Sequence, residues 1–277
     1  NNEYTIGIFL DLAKAFDTVN HNILLNKLYH YGIRGNAYDW FNNYLSNRQQ
    51  YVYLNGFQSN KLPVTCGVPQ GSILGPLLFL LYINDLNTVS KLLTFIMFAD
   101  DTNIFISGKN LENITTIING ELNLITTWFS ANLLSLNVKT NYILFGNKKP
   151  PDVPIVMNSE KIVRVLQSKF LGIIIQSDLK WNAHINSITN KISKTIGIMN
   201  KIKHILATAH LRLLYQCLIE PYLNYCCIIW ASPEKTGALN MLLKLQKRSV
   251  RVILFAPYRD HSKPLFHKLN ILNMWRI

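Results

Sequence analysis

Asp100 and Asp101 stand side by side between two apolar runs, Leu92–Ala99 and Thr102–Ser107. Two apolar runs joined by so short a connection read as a hairpin. Two carboxylates in its turn repel each other, and neither strand offers a counter-charge. A bound cation removes that cost. Asp11 ends a further run, Tyr4–Leu10, which is rich in β-formers on both faces and so reads as a strand covered on both sides. A sheet that sets these strands next to one another converges three carboxylates at one edge. Such an oxygen-rich site is what Mg²⁺ prefers. An acidic, solvated turn fits the same residues, and residue type alone leaves the two readings open.

The elements that must position these residues form a mixed pattern. Helices are expected from about Asn20 to Tyr31 and Asn36 to Leu45, separated by the Gly32-Ile33-Arg34-Gly35 break. Tyr51–Leu54 and Leu62–Val68 suggest strands with a turn at Asn55-Gly56. Ile73–Leu86 is apolar almost all round, which suits a helix buried beneath a sheet. Leu111–Leu134 reads as a helix, Tyr142–Phe145 as a strand, and a strand pair is expected between Ile155 and Ile175. After Trp181 the pattern is helical: Ile185, Ile188, Ile192, Met199, Ile202 and Leu206 fall on one stripe. Helices are expected over about Thr208–Tyr225 and Thr236–Phe255.

Charge divides the chain in the same place. Of 277 residues, 28 are Lys or Arg and 15 Asp or Glu. Residues 1–180 carry 14 basic against 12 acidic residues, a net of +2, whereas residues 181–277 carry 14 against 3, a net of +11. A positive excess confined to one third of a chain suggests a surface for a polyanion, nucleic acid being the commonest; the alternative is an ordinary solvated basic face. Lys191, Lys194, Lys201, Lys203, Lys244, Lys247, Arg248 and Arg251 are the candidate phosphate contacts. Cys66, Cys217, Cys226 and Cys227 form no CxxC pair, so reduced thiols are expected and a zinc site is not. The apolar runs Gly75–Ile83 and Leu92–Ala99 are far too short to span a bilayer, and no secretory signal is visible.

Three blocks carry a more specific signal: Phe9-Leu-Asp-Leu-Ala-Lys-Ala-Phe-Asp-Thr-Val-Asn-His21, Gly67-Val-Pro-Gln-Gly-Ser-Ile-Leu-Gly-Pro76 and Phe98-Ala-Asp-Asp-Thr102. In order, spacing and wording they resemble the reverse transcriptases of non-long-terminal-repeat (LINE-type, jockey-like) retrotransposons. Leu136-Asn-Val-Lys-Thr140 and Phe170-Leu-Gly172 fit that family's next two motifs. The resemblance implies an α+β polymerase right hand. Residues 1–180 would be the palm, an antiparallel sheet with helices on one face, with partial fingers at about 20–65; residues 181–277 would be a helical thumb or connection module. The implied activity is RNA-directed DNA synthesis, in which deoxynucleotides are joined to a primer 3′-hydroxyl.

Residue by residue, the resemblance implies that Asp11 and Asp100 hold two Mg²⁺ ions, or Mn²⁺ in their place, about 3.5–4 Å apart. Asp101 and the carbonyl of Leu12 would support them. Because successive strand residues point oppositely, Asp100 is the better direct ligand, with Asp101 displaced or reached only because the turn bends. Phe16 would be the aromatic wall that excludes a ribose 2′-hydroxyl, with an ordinary core phenylalanine as the alternative. Gln70 and Gly71 would start the helix under the nucleotide, although Pro-Gln-Gly alone is only a helix-start turn. Asp17 would orient local backbone, and Lys139 would be the general acid for pyrophosphate. Implied partners are an RNA template, a DNA primer, their hybrid and deoxynucleoside triphosphates, with no membrane. The implied compartment is the nucleus, with the cytoplasm as alternative. Only ten residues precede Asp11, so finger strands are missing, and the chain is expected to be part of a larger polyprotein with an endonuclease. The rival readings are a catalytically inactive nucleic-acid-binding remnant, and an RNA polymerase or nucleotide cyclase with a similar sheet.

Overall fold

Strand β1 (Tyr4–Leu10) lies at the centre of a five-stranded sheet in the computed structural model, which describes residues 3–137, 140–146, 151–231 and 236–274. The chain divides into two compact units, one up to Leu171 and one from Gly172. In the first, β1 is followed by helices α1 (His21–His30) and α2 (Gly35–Leu45). Two nested pairings come next: Gln49–Gln50 (β2) with Leu62–Pro63 (β5), and Tyr53–Leu54 (β3) with Phe57–Gln58 (β4). Helix α3 (Leu74–Ile83) runs into a 3₁₀ turn over Asn84–Thr88. Strands β6 (Thr94–Phe98) and β7 (Asp101–Gly108) form a hairpin, and helix α4 (Leu111–Ala131) leads to β8 (Asn141–Phe145). Short strands β9 (Val156–Met157), β10 (Glu160–Lys161), β11 (Val163–Arg164) and β12 (Gln167–Phe170) follow. The main sheet has the order β11-β8-β1-β7-β6 and is antiparallel except for the β11–β8 pair.

Strand periodicity sorts the two faces of β1. Ile6, Ile8 and Leu10 join one buried cluster with Leu78, Phe79 and Tyr82 of α3 and Ile118, Leu122 and Ile125 of α4. On the other face Phe9 meets Phe105 and Phe170 edge-on, each at 6.2 Å. Gly7 shares that face because a Cβ there would lie 2.7 Å from the Phe105 ring. Behind the sheet, Lys27 of α1 donates to Asp85 Oδ1 and to the Tyr82 carbonyl, both at 2.6 Å. It also lies over the Tyr82 and Trp128 rings, 5.0 and 4.7 Å from their centroids. Burial pulls its pKa below the ordinary lysine value even with Asp85 beside it.

The second unit opens with β13 (Ile173–Gln176) and is otherwise helical: α5 (Asn182–Ile202), α6 (Thr208–Leu218), α7 (Glu220–Asn224), α8 (Cys227–Trp230), α9 (Thr236–Ile253) and α10 (Ser262–Leu269). The α5 stripe Ile185, Ile188, Ile192, Ile196 and Met199 is buried with Leu239, Leu242, Val250 and Ile253 of α9. Gln246 is wholly buried yet satisfied: its amide donates to Tyr215 Oη and the Leu272 carbonyl, each at 2.8 Å, and accepts from Met274 N–H at 2.8 Å. Burial pushes the Tyr215 phenol up to about 12. Among the described residues no helix is long and apolar enough to cross a membrane.

Several boundaries differ from those read in the sequence, each for a visible reason. The turn between β6 and β7 is Ala99–Asp100, not Asp100–Asp101, because Ala99 takes a left-handed φ of 51° and Asp101 already pairs with Phe98. The strand expected to reach Val68 stops at Pro63. Gly67 and Val68 spend their N–H groups instead on the carbonyls of Val19 and Phe16. The helix expected over Thr208–Tyr225 breaks at Ile219, since Pro221 lacks the N–H to continue it. The division falls after Leu171 rather than after Lys180. Strand β13 belongs with the helices because Ile174 N–H donates to His184 Nδ1 at 3.3 Å and Gln176 Oε1 accepts from Ala183 N–H at 2.7 Å.

His184 makes the second unit pH-sensitive. It is buried edge-on to Trp230 with Nε2 unpartnered, and burial, then Lys191, lower its pKa from the ordinary 6.5. The unfolded chain therefore takes up the proton first. Stability conferred by neutral His184 is complete above pH 6.5 and is lost as pH falls from 6.5 towards the lowered folded value. The urea midpoint should fall across that window, by at most about 1.4 kcal/mol per pH unit. His184→Asn, which keeps an acceptor for Ile174, should flatten the fall.

Candidate active site

The sheet register assembles the acidic edge. Leu10 pairs with Thr102 and Phe98 with Asp101, so Asp11 leaves β1 opposite the point where Asp101 enters β7. Asp100 sits one residue away in the turn. The proximity shows in the electrostatics. Burial raises the Asp101 pKa above the usual carboxylate value, Asp100 and Asp11 raise it further, and Lys169 opposes them. Asp100 and Asp101 are exposed and Asp11 is half-buried. Ala99, which aims Asp100, holds a left-handed conformation that costs a non-glycine residue about 1–2 kcal/mol.

A second segment is stitched to Asp11 by backbone. Asn137 N–H donates to the Asp11 carbonyl at 2.7 Å and Ala13 N–H to the Ser135 carbonyl at 2.9 Å, flanking a bridge between Leu12 and Leu136. These bonds run through Asp11 and Ala13, so the Leu12 carbonyl takes no part in them. The Leu136–Thr140 segment thus starts beside Asp11, although Lys139 itself lies outside the described residues. Among the described residues no three His, Cys, Asp or Glu side chains are grouped tightly enough to hold one metal ion. The donor set still fits: the donors are all oxygen, their mutual repulsion is opposed by Lys169, and Mg²⁺ commonly takes one or two carboxylates while phosphates and water complete its shell.

The loop after Asp11 docks on the Gly67–Gly71 segment. Val68 N–H donates to the Phe16 carbonyl at 2.9 Å and Gly67 N–H to the Val19 carbonyl at 2.8 Å. Gln70 Nε2 donates to Asp17 Oδ1 at 2.8 Å, and His21 Nε2 lies 2.8 Å from the Gly67 carbonyl. Asp17 therefore orients the Gln70 side chain as well as local backbone. Phe16 is half-buried with its ring 4.6 Å from Phe79, so it packs on the core while keeping part of its surface open. Gly71 has a φ of +81° with open space where a Cβ would be, so backbone conformation, not crowding within the protein, demands glycine there. A cavity of about 680 Å³ opens here, lined in part by Asp17, Arg48, Gly67 and Gln70.

The profile of the reverse transcriptase (RNA-dependent DNA polymerase) family matches residues 1–175, which hold this entire arrangement. The chain belongs to the reverse transcriptase family. It is 26% identical over 282 residues to the RNA-directed DNA polymerase from mobile element jockey of Drosophila melanogaster, covering 98% of this chain and 31% of that protein. It is 26% identical over 288 residues to the probable RNA-directed DNA polymerase from transposon BS of the same fly, covering 97% and 31%. The chain spans about a third of the length of these curated relatives. Among solved structures, telomerase from Candida tropicalis with a fragment of telomeric RNA overlays with a TM-score of 0.47 at 11% identity, covering 96% of this chain and 49% of that one.

Within this reverse transcriptase chain the eight candidate basic residues all lie in the second unit, apart from the carboxylates in sequence. Lys191, Lys194, Lys201, Lys244 and Arg248 are exposed, and Lys203, Lys247 and Arg251 half-buried. Arg251 is spent within the fold: it donates to the Asp260 carbonyl at 2.9 Å and to the Lys247 carbonyl at 3.3 Å, and lies 5.8 Å from the Tyr258 ring. Lys191 and Lys203 lie over the rings of Tyr222 and Phe255 at 5.0 and 5.9 Å. Sequence reasoning missed Lys169, whose signal was its place directly before Phe170-Leu171-Gly172, and it missed the Asp17–Gln70 link.

Gly67 tests this docking. A Cβ there would meet the Asp17 carbonyl oxygen at 2.9 Å, and its φ is +86°. Gly67→Ala should destabilise the protein by about 2 kcal/mol, read as a lower urea midpoint. Gly71→Ala should cost less, having strain without the clash.

Proposed function

We propose that the chain carries the catalytic core of an RNA-directed DNA polymerase, with the first unit as palm and partial fingers and the second as a basic, helical thumb. The observation that supports this best is the strand register that sets Asp11 opposite Asp101, with Asp100 one residue away in the turn, inside the family's matched residues. Divalent ions, Mg²⁺ with Mn²⁺ as substitute, would there lower the barrier to attack by a primer 3′-hydroxyl and neutralise the departing pyrophosphate. Asp11 and Asp100 would hold them, with Asp101 and the Leu12 carbonyl in support. Asp17 keeps the Gln70 amide turned towards the cavity, where its remaining acceptor can meet a nucleotide. Phe16, braced against Phe79, presents the bulk that excludes a 2′-hydroxyl, which makes the substrate a deoxynucleotide. Lys139 would protonate the departing pyrophosphate. The partners are an RNA template, a DNA primer and their hybrid, used in the nucleus as part of a longer polyprotein.

Two measurements test this reading. Primer extension on RNA, measured in a polypeptide extended to the length of the relatives, should fall at least about 10²–10³-fold with Asp11→Asn or Asp100→Asn. Asp101→Asn should be milder. Near-normal extension by folded Asp100→Asn rejects the carboxylate assignment, whereas no extension by the folded, unsubstituted polypeptide leaves an inactive nucleic-acid-binding remnant. Lys244→Gln with Arg248→Gln should flatten the dependence of log K on log salt for duplex binding by about 0.9 per lost contact. Arg251→Gln should instead lower stability, because its guanidinium holds the turn at Asp260.

A further inference from the structure

We infer that α2 and the turn after it form a stacking platform for single-stranded RNA, separate from the carboxylate edge. Trp40 and Tyr44 lie one helical turn apart with ring centroids 5.4 Å apart and planes inclined by only 11°. The Arg48 guanidinium lies over the Tyr44 ring at 5.4 Å. Three flat groups therefore follow one another at four-residue spacing along α2 and the turn after it. This face is only partly spent on the core: Tyr44 is half-buried and packs against it, whereas Trp40 is 52% exposed. A similar unit stands beside it. Arg34 lies 3.3 Å over the ring of Tyr29, which is itself 49% exposed and edge-on to Tyr38.

Charge selects the partner. Between Tyr29 and Lys61 the cations Arg34, Arg48 and Lys61 outnumber the single acid Asp39. Exposed rings interleaved with arginines suit an unpaired polynucleotide, whose bases offer faces for stacking and whose phosphates meet guanidinium groups. A duplex keeps its bases stacked inside and cannot use the rings. Arg48 also lines the cavity that holds Asp17, Gly67 and Gln70, so a strand stacked on Trp40 passes Arg48 on its way there. That the strand is RNA rests on the proposed polymerase reading, in which the unpaired strand ahead of synthesis is the template.

Fluorescence anisotropy with a labelled single-stranded RNA of about 12 nucleotides, without Mg²⁺ or nucleotides, tests this on the 277-residue chain. One lost base stack corresponds to about tenfold or more in affinity. Trp40→Ala should therefore weaken RNA binding about tenfold, Trp40→Phe should restore most of it, and duplex affinity should not change. Should Trp40→Ala fail to fold, Arg48→Gln with Trp40→Phe as the folded reference takes its place. Cross-linking with 4-thiouridine RNA should attach within residues 35–48. Unchanged RNA affinity in folded Trp40→Ala overturns the inference, as does equal loss for RNA and duplex. Single-stranded DNA binding tenfold tighter than RNA would assign the platform to the other strand and overturn it too, and loss of self-association alone would mark a protein interface. No synthesis is read, so failure here leaves the polymerase reading intact, and the converse holds.

Discussion

Both edges of β1 are occupied, by β7 on one side and β8 on the other, and this double pairing fixes where Asp11 and Asp101 lie. A strand with full ladders cannot slide by one residue without turning its apolar set to the wrong face. Ile6, Ile8 and Leu10 bind the register to the helices behind the sheet, so Asp11 emerges at one height and Asp101 opposite it. Burial first, and then the charges of Asp100 and Asp11, raise the pKa of Asp101. Lys169 opposes this shift.

Around that edge the connecting segments have little structure of their own and are held by one another. The loop after Asp11 is held by Gly67, Val68 and Gln70, while Asn137 reaches the Asp11 carbonyl. Each such bond joins residues far apart in sequence, so the segments order together. Helices α1, α3 and α4 are coupled behind the sheet by Lys27, which meets Asp85, the Tyr82 carbonyl and two rings. A largely buried ammonium is tolerated because its donors find acceptors and π faces. Removing Asp85 would leave that charge uncompensated, a larger penalty than the pair itself contributes.

What could be read in advance followed from how local each determinant is. Tyr4–Leu10 is apolar on both faces and was legible as a buried central strand; the α5 stripe was legible by its period. The carboxylates were legible because acids between apolar strands need a reason. The hairpin register was misread by one residue because it depends on Ala99 accepting a positive φ, which composition does not reveal. The strand after Leu62 was overextended because the N–H groups of Gly67 and Val68 pair with a loop nearly fifty residues earlier, a tertiary fact. Lys169 could have been read from its place before Phe170-Leu171-Gly172, and the break at Ile219 from Pro221.

Charge in the second unit follows the logic of the carboxylate edge with the sign reversed. Fourteen cations face three acids over residues 181–277, so internal ion pairs can neutralise at most three of them. The fold does consume some positive charge by other means. Arg251 closes onto backbone carbonyls, and Lys191 and Lys203 settle over aromatic rings. Such contacts position a cation without cancelling its charge, because a ring quadrupole is worth only about 0.5–1 kcal/mol at an exposed site. The self-repulsion of this unit therefore remains to be relieved by a polyanion or by salt ions. Each unit carries a charge that its own residues leave unbalanced, negative at the β1–β7 edge and positive along the helices. On the proposed reading a divalent ion would answer the first and a phosphate backbone the second, the two ligands that nucleotidyl transfer on a primer requires.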